Sequence, residues 1–535
     1  MLLNKNIQEN YTKLQGSRQL VLPLDYGLMI AENEPVRLLD AVLEELNYTK
    51  LQRLYSSKGR KSAVPPDILF KVYCFAMLEG VYSSRAIQRQ CEVNLQYKWL
   101  LQGYPVPSHM AFQRFFSRMT LSVLKDLFSQ FITVLSRLDS INFAEVFIDG
   151  TKLEANANRY TFVWKKKIQR ELNKIPGKLE SLTGEIFRAT GEDLRACSDE
   201  LLLHLLQEQV QALHITFVYG KGSRKTQWQR WFERCEEIVN KRHEYERHLE
   251  ILGERNSYSK TDPDATFMRL KEDHMLNGQL KPAYNIQLAV HSEYILGVGV
   301  YANPADVNTL IPFMKELGEL HDKKFSYVVA DAGYDSYENF DWLQKHNYAS
   351  CIKPQNHERD KKKSYREDIG RAENMTYSKE TDTYTCAKGR KLTFKFSKKT
   401  KKKSGVVIHS RIYECGSCNK CGLRSKCQKP YKGKQPKNNK RLYISTYYNL
   451  LQKDNLSRFT TEYGTLLRVN RSIQVEGAFG VIKQDYRYKR MLRRGKENVE
   501  KDLYFIAFGF NIRKLYNRIQ ANRIGQSLFA INEVA

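Results

Sequence analysis

Two short apolar runs in this chain each end on a carboxylate, and few folds can tolerate that twice. Val146-Phe147-Ile148 leads into Asp149 and then Gly150-Thr151, within EVFIDGTKLEA at 145–155. Val328-Val329-Ala330 leads into Asp331 and then Ala332-Gly333, within VVADAGYDS. Runs this apolar read as strands, and a carboxylate at a buried strand end is costly unless something compensates it. The glycine beside each acid permits a tight turn and close backbone approach. In open α/β sheets ligands sit outside strand ends, so the two acids could face one site.

The surrounding pattern supports a mixed sheet. KPAYNIQLAVH and ILGVGVYANP read as strands, either a hairpin or adjacent. A helix, VNTLIPFMKELGEL, separates them from FSYVVADAG, and a second, SYENFDWLQKHN, precedes the short strand SCIKP. Strands and helices in this order predict an α/β fold with a mixed sheet. Asp335-Ser336-Tyr337-Glu338 fits an N-cap and capping box, so Asp335 reads as structural.

Residues 1–140 read as helical. Pro65-Pro66-Asp67 opens an amphipathic helix that Gly80 stops, and Ser84 and Ser108 are plausible N-caps for two shorter ones. These helices carry Arg85, Arg89, Lys98, Arg114 and Arg118. They form either a DNA-binding helix-turn-helix or a small bundle with solvated charges. Two stretches interrupt the α/β pattern. Residues 161–255 are helical and charged, with Trp228, Trp231, Cys235, Ile238, Tyr245, Leu249 and Leu252 at coiled-coil spacing, broken only by Arg242. With Trp164–Ile175 they suggest an antiparallel arm used for packing or dimer contact. Residues 355–450 are basic and polar and enclose a cysteine cluster. Helical pattern resumes from about 455.

A third acid lies in RSIQVEGAFGVIKQDYRYKR. On a helix, Val475, Phe479 and Ile482 make an apolar stripe, while Glu476, Gly480, Lys483 and Arg487 share a neighbouring face. From there Glu476 could reach a metal and Lys483 and Arg487 could hold phosphate. Taken alone, a helical Glu is more often simply solvated.

Together these residues resemble the DDE-type transposases of bacterial insertion sequences, whose catalytic domain is RNase H-like. IDGTK, ADAGYDS and VEGAFGVIKQDYRYKR carry the resemblance, with TDPDATFM, KPAYNIQLAV and NPADVNTLIPF between them. The helical region near 35–120 resembles the family's N-terminal domain. The resemblance implies a DNA-binding domain over 1–140 and a catalytic domain over 141–535, with insertions at 161–255 and 355–450. It also implies that Asp149, Asp331 and Glu476 form the metal-binding triad. Many relatives carry Y-x2-R-x3-E-x6-K around the Glu. Here Glu476 and Lys483 keep E-x6-K, but Ser472 stands four residues before Glu476. Arg468 and Arg471 flank it, and no Tyr fits.

The residue types suit the chemistry. Two divalent ions about 3.5–4 Å apart can activate the attacking oxygen and stabilise the leaving one. Hard Mg2+, or Mn2+, takes carboxylate, phosphate and water oxygens, which matches three acids without His or Cys. Metal is therefore the expected compensation for Asp149. The implied activity is cleavage at the element's terminal inverted repeats and joining of 3′-hydroxyls to target DNA, by at least a homodimer. A metal-dependent nuclease that cannot join strands, and a non-catalytic DNA-binding relic, are the alternatives.

Cys415, Cys418, Cys421 and Cys427 are spaced C-x2-C-x2-C-x5-C, with Cys386 and His409 as further ligands in range. Structural Zn2+ is the favoured reading; an iron–sulfur cluster or inert thiols are the others. The other six of the ten cysteines are scattered, which argues against a disulfide scaffold.

Charge points the same way. Lys plus Arg total 87 against 59 Asp plus Glu, leaving +28. Such a surplus fits a polyanionic partner, double-stranded DNA above all. No amphipathic basic helix points to a membrane surface, no run approaches the ~18 apolar residues of a span, and residues 1–16 lack a leader's apolar core. The expected setting is bacterial cytoplasm, at the nucleoid.

Overall fold

The computed structural model describes residues 25–55, 62–220, 224–271, 278–321, 324–402, 405–430 and 436–526. Residues 1–16 and part of the basic run 428–443 lie outside the described residues. The chain divides into two compact units, residues 1–120 and 121–535.

The first unit is helical: α1 (Pro35–Glu44), α2 (Pro66–Leu78), α3 (Ser84–Val93), α4 (Leu95–Leu100) and α5 (His109–Arg118). Every residue of α2 from Ile68 to Leu78 is buried, which makes it the helix the others surround. Even Lys71 is inside, paired with Asp40 at 2.7 Å and with Glu44 of α1. The α3 cap is Ser83, whose Oγ accepts from the Ala86 amide at 3.1 Å, one residue before the expected Ser84. Ser108 caps α5 as expected.

The second unit opens with α6 (Leu121–Leu138) and β1 (Glu145–Glu154). The first insertion follows as α7 (Lys165–Leu172), α8 (Ile175–Thr190), α9 (Asp199–Ala212) and α10 (Gln227–Leu252). Then come β2 (Thr266–Arg269), β3 (Leu280–His291), β4 (Tyr294–Tyr301), α11 (Leu310–Leu320), β5 (Tyr327–Ala330), α12 (Tyr337–Lys345) and β6 (Ala349–Ile352). The second insertion holds β7 (Thr376–Ser378), β8 (Thr383–Thr385), β9 (Lys391–Lys401), β10 (Val407–Cys415) and β11 (Arg441–Ile444). Helices α13 (Thr446–Phe459), α14 (Glu462–Gly480) and α15 (Lys496–Gln520) close the chain. Helix α6, read from sequence with the N-terminal helices, belongs to this unit: its Phe128 packs edge-on against Tyr504 and Phe508 of α15.

The main sheet runs β4-β3-β1-β5-β6, with β2 beside the start of β3. β1 is central, antiparallel to β3 and parallel to β5, which is parallel to β6. β3 and β4 are a hairpin whose two turn residues, Ser292 and Glu293, have φ of 50° and 70°, as a tight right-twisting turn requires. Three antiparallel strands followed by two parallel ones, with helical crossovers, make a mixed α/β core of RNase H-like order. Helix α14 lies along β1, β3 and β5, and α15 along β4 and α6.

Two asparagines finish the sheet's outer strands. Asn511 of α15 accepts from the Ile295 amide and donates to its carbonyl, both at 2.8 Å. Asn455 of α13 does the same to Ile352 of β6, also at 2.8 Å. The cap of α12 is Ser336, accepting from the Asn339 amide at 3.1 Å, rather than Asp335. Asp335 is structural in another way: it accepts from the Gln355 amide and the Tyr448 hydroxyl.

Candidate active site

β1 carries Asp149 past the point where its parallel pairing with β5 stops at Ile148–Ala330. Asp331 follows directly on β5, so the shared register sets the two acids side by side. Both line one cleft of about 470 Å³, together with Asp306 from the loop after β4. Asp306 accepts from Asn285 Nδ2 at 2.7 Å, Asn285 accepts from Gln287 Nε2 at 3.0 Å, and Tyr334 donates its hydroxyl to Gln287. These side chains crowd β1 from below. A Cβ on Gly150 would stand 2.3 Å from Gln287 Nε2 and 2.9 Å from Asp306 Oδ1, so only glycine fits beside Asp149.

Asp149 is mostly buried, and burial pushes its carboxyl above the usual range. Arg471 and the Gly150 amide pull it back, while Asp331 adds to the rise. Arg471, from α14, donates Nη1 to Asp149 Oδ2 at 3.0 Å. Its Nη2 reaches Glu476 Oε1 at 3.5 Å, and Ser472 Oγ donates to the same oxygen at 3.1 Å. The Arg471 guanidinium thus offsets part of the cost of burying Asp149. Glu476 stands 60% exposed and is joined to Asp149 through that guanidinium. Arg471, the residue before Ser472, is the arginine that reaches both acids.

The helical face expected to run from Glu476 to Arg487 does not continue. Helix α14 ends at Gly480 and passes into a π-turn over Val481–Asp485, and Arg487 is left-handed with φ 52°. Wide turns of this kind are frequent at functional sites. Lys483, on that turn, swings onto β1 and donates to Thr151 Oγ1 at 2.9 Å. Arg487 points away as an exposed side chain, and Lys489 and Arg490 line the cleft in its place.

Arg159, Lys271 and Lys281 add to the cleft's positive rim. Glu154 pairs with Arg159 at 2.8 Å, with Arg490 at 3.6 Å and with Lys281 at 3.8 Å. Sequence reading missed Asp306, Lys489, Arg490 and the bridging role of Arg471. All four lay within motif-bearing segments, Asp306 in NPADVNTLIPF and the others in RSIQVEGAFGVIKQDYRYKR, but which of them reach the cleft needed the fold.

Among the described residues no three His, Cys, Asp or Glu side chains are gathered as a metal cage. The donor types still suit a hard cation: Asp149 and Asp331 share one wall, and Glu476 is tethered to Asp149. In the first unit Arg85, Arg89 and Arg114 are exposed, with Arg89 paired to Glu92 at 3.3 Å. Cys415, Cys418, Cys421 and Cys427 meet Cys386 around a separate small cavity, whereas His409 is exposed on β10 opposite Lys399.

Residues 25–118 match the family model described as a transposase domain (DUF772), and residues 385–516 match the one described as a transposase DDE domain. The second match spans the cysteines, Glu476 and Lys483 but neither Asp149 nor Asp331. No curated protein and no solved structure matches the chain.

Proposed function

We propose that this chain, whose residues 25–118 and 385–516 match transposase family models, is an insertion-sequence transposase of the DDE type that binds its element's terminal inverted repeats, cuts there and joins the freed ends to target DNA. The observation that carries the reading is the pairing of Asp149 and Asp331 at adjacent parallel strand ends, with Glu476 bound to Asp149 through Arg471. Asp149, Asp331 and Glu476 would hold Mg2+ or Mn2+, which when bound activates the attacking oxygen and stabilises the leaving one. Rigid strand ends fix two of these ligands to within the tolerance such chemistry needs.

The protein's own groups do the rest. Arg471 keeps the carboxylates of Asp149 and Glu476 oriented and offsets their charge until phosphate arrives. Lys483, held on Thr151, presents its ammonium beside the acids, and Lys489 and Lys271 draw the DNA backbone into the cleft. Arg159 and Arg490, already paired with Glu154, form a more rigid wall. In the first step water adds to a terminal phosphodiester and a 3′-hydroxyl leaves. In the second that hydroxyl attacks a target phosphodiester and displaces another 3′-oxygen, so the bond count is conserved. Arg85, Arg89 and Arg114 in the first unit would contact the terminal repeat, with Arg487 a further backbone contact. The active complex would be at least a homodimer, working in the cytoplasm at the nucleoid.

Labelled DNA bearing the element's ends, incubated with Mg2+, tests this. Nicking at the ends plus joined product from the wild type, both lost in Asp149→Asn, is the expected result. Cleavage without joined product would make the protein a nuclease. End binding with no cutting by either protein would leave a DNA-binding relic.

A further inference from the structure

The second insertion is a sheet with little beneath it. Of the eleven residues of β9 only Leu392 is buried. Its apolar cluster consists of Met375, Leu392, Tyr413, Cys415, Cys418 and Leu442, two of them cysteines. Small folds with so little core usually need a disulfide or a metal, and all these cysteines are free.

Five sulfurs from three segments line one small cavity, walled by Ile369, Leu392 and Leu423. Cys386 opens the β8–β9 turn, which is closed by Gly389 N–H to Cys386 O at 2.7 Å and Cys386 N–H to Arg390 O at 2.9 Å. Arg390 then clasps the loop after β10, donating Nη1 to Ser417 O at 2.5 Å and to Asn419 O at 3.3 Å. The short helix Arg424–Cys427 brings Cys427 to the same cavity.

We propose that this cavity holds a structural Zn2+ bound by Cys386, Cys418, Cys421 and Cys427, with Cys415 left out. The site is independent of the strand-transfer reading. Three observations select this set over the sequential Cys415-Cys418-Cys421-Cys427. First, the Lys440 amide donates to Cys418 Sγ at 3.3 Å, so that sulfur already serves as an acceptor. Second, Cys427 lies within electrostatic reach of Cys386, Cys418 and Cys421, and of the Lys440 ammonium. Third, Cys415 is 3% exposed, faces Leu392 in the strand register and donates to the Ser417 carbonyl at 3.4 Å, while lying beside Cys418 and Cys386. It packs as a small apolar residue.

Charge agrees. Zn2+ with four thiolates is a dianion, and the lining offers Lys388, Arg390, Arg424 and Lys440 but no carboxylate. The sulfurs are not drawn into a cage in this structure, as expected of neutral thiols that gain little by crowding. Binding would release each ligating proton to solvent and pull the sulfurs to about 2.3 Å from the ion.

Metal analysis of the desalted full-length protein tests the site, with Cys→Ser variants at all five positions and Co2+ exchanged into wild type and Cys415→Ser. We expect one zinc per chain, a loss of tenfold or more in each of Cys386→Ser, Cys418→Ser, Cys421→Ser and Cys427→Ser, and full retention in Cys415→Ser. The Co2+ spectra, which do not depend on a destabilised variant, should show four thiolate ligands and be identical in the two proteins. Wild type without zinc, or with iron and sulfide, would overturn the proposal. So would zinc lost from Cys415→Ser but kept in Cys386→Ser.

Discussion

The two insertions solve one problem by different means. Each is a stretch of chain spliced into the catalytic sheet's connections, and each must hold its own shape. The helical insertion does so with ordinary burial: Ile175, Leu182, Ile186, Leu202, Leu206, Trp231, Cys235, Ile238 and Val239 form one apolar cluster between α8, α9 and α10. The β insertion has a six-residue cluster and a long strand whose side chains face water. Helices can bury a stripe against one another in a small volume, whereas one sheet needs a second layer. Where that layer is missing, sulfur and a cation can stand in for apolar area.

Trp231→Ala should have the largest effect among these tests, about 3–5 kcal/mol lost from the helical insertion. Hydrogen exchange should show α8–α10 opening while β9 and β10 keep their protection. Leu392→Ala should cost about 2–5 kcal/mol, with exchange changing only in the β insertion; equal losses in both regions would merge the two into one folding unit. The host sheet supplies a reference. His291, buried against Phe147, has its imidazole pushed down to about 4 by burial. The unfolded chain takes up that proton first, so stability is complete above about 6.5 and falls as pH drops towards 4, by roughly 3 kcal/mol. His291→Gln should flatten that part of a denaturation–pH profile. Arg242→Met removes the partner of Asp199, 2.5 Å away, and of Glu200 at 2.6 Å. After solvent screening it should cost about 1 kcal/mol, read as a lower urea midpoint for α9 and α10. Arg441→Ala in the β insertion breaks an exposed pair with Glu414 and should leave the midpoint unmoved.

What the sequence disclosed follows from the range of the signal. Asp149 and Asp331 were legible because apolar runs ending in Asp beside Gly are local patterns. The long helix over Trp228–Leu252 was legible from its period, and Arg242, which broke the period, turns out to meet two acids on α9. Strands β9 and β10 were passed over: Leu392, Phe394 and Phe396 alternate at the start of β9, but Lys at 391, 395, 398, 399 and 401 made the stretch read as basic and polar. The shift from helix to π-turn after Gly480 hid the fate of Arg487, since period arguments assume the helix continues. The bonds made by Asp306 and Arg471 run to partners about 20 to 320 residues away, a distance that spacing rules cannot span. The limit at 120 was hidden too, because α6 is as helical as the segments before it and differs only in what it packs against.

The asparagines at Ile295 and Ile352 have a consequence for how copies of the chain can meet. An open strand edge recruits any extended segment nearby, and in a cell that means misassembly as often as partnership. With the main-chain groups of one residue on each outer strand already bonded by a side chain from a helix, continuous strand addition there is interrupted. Any contact between copies of the chain would then have to run through side chains on helices or insertions rather than through these two strand edges. Two side-chain amides thereby blunt both of these strand edges.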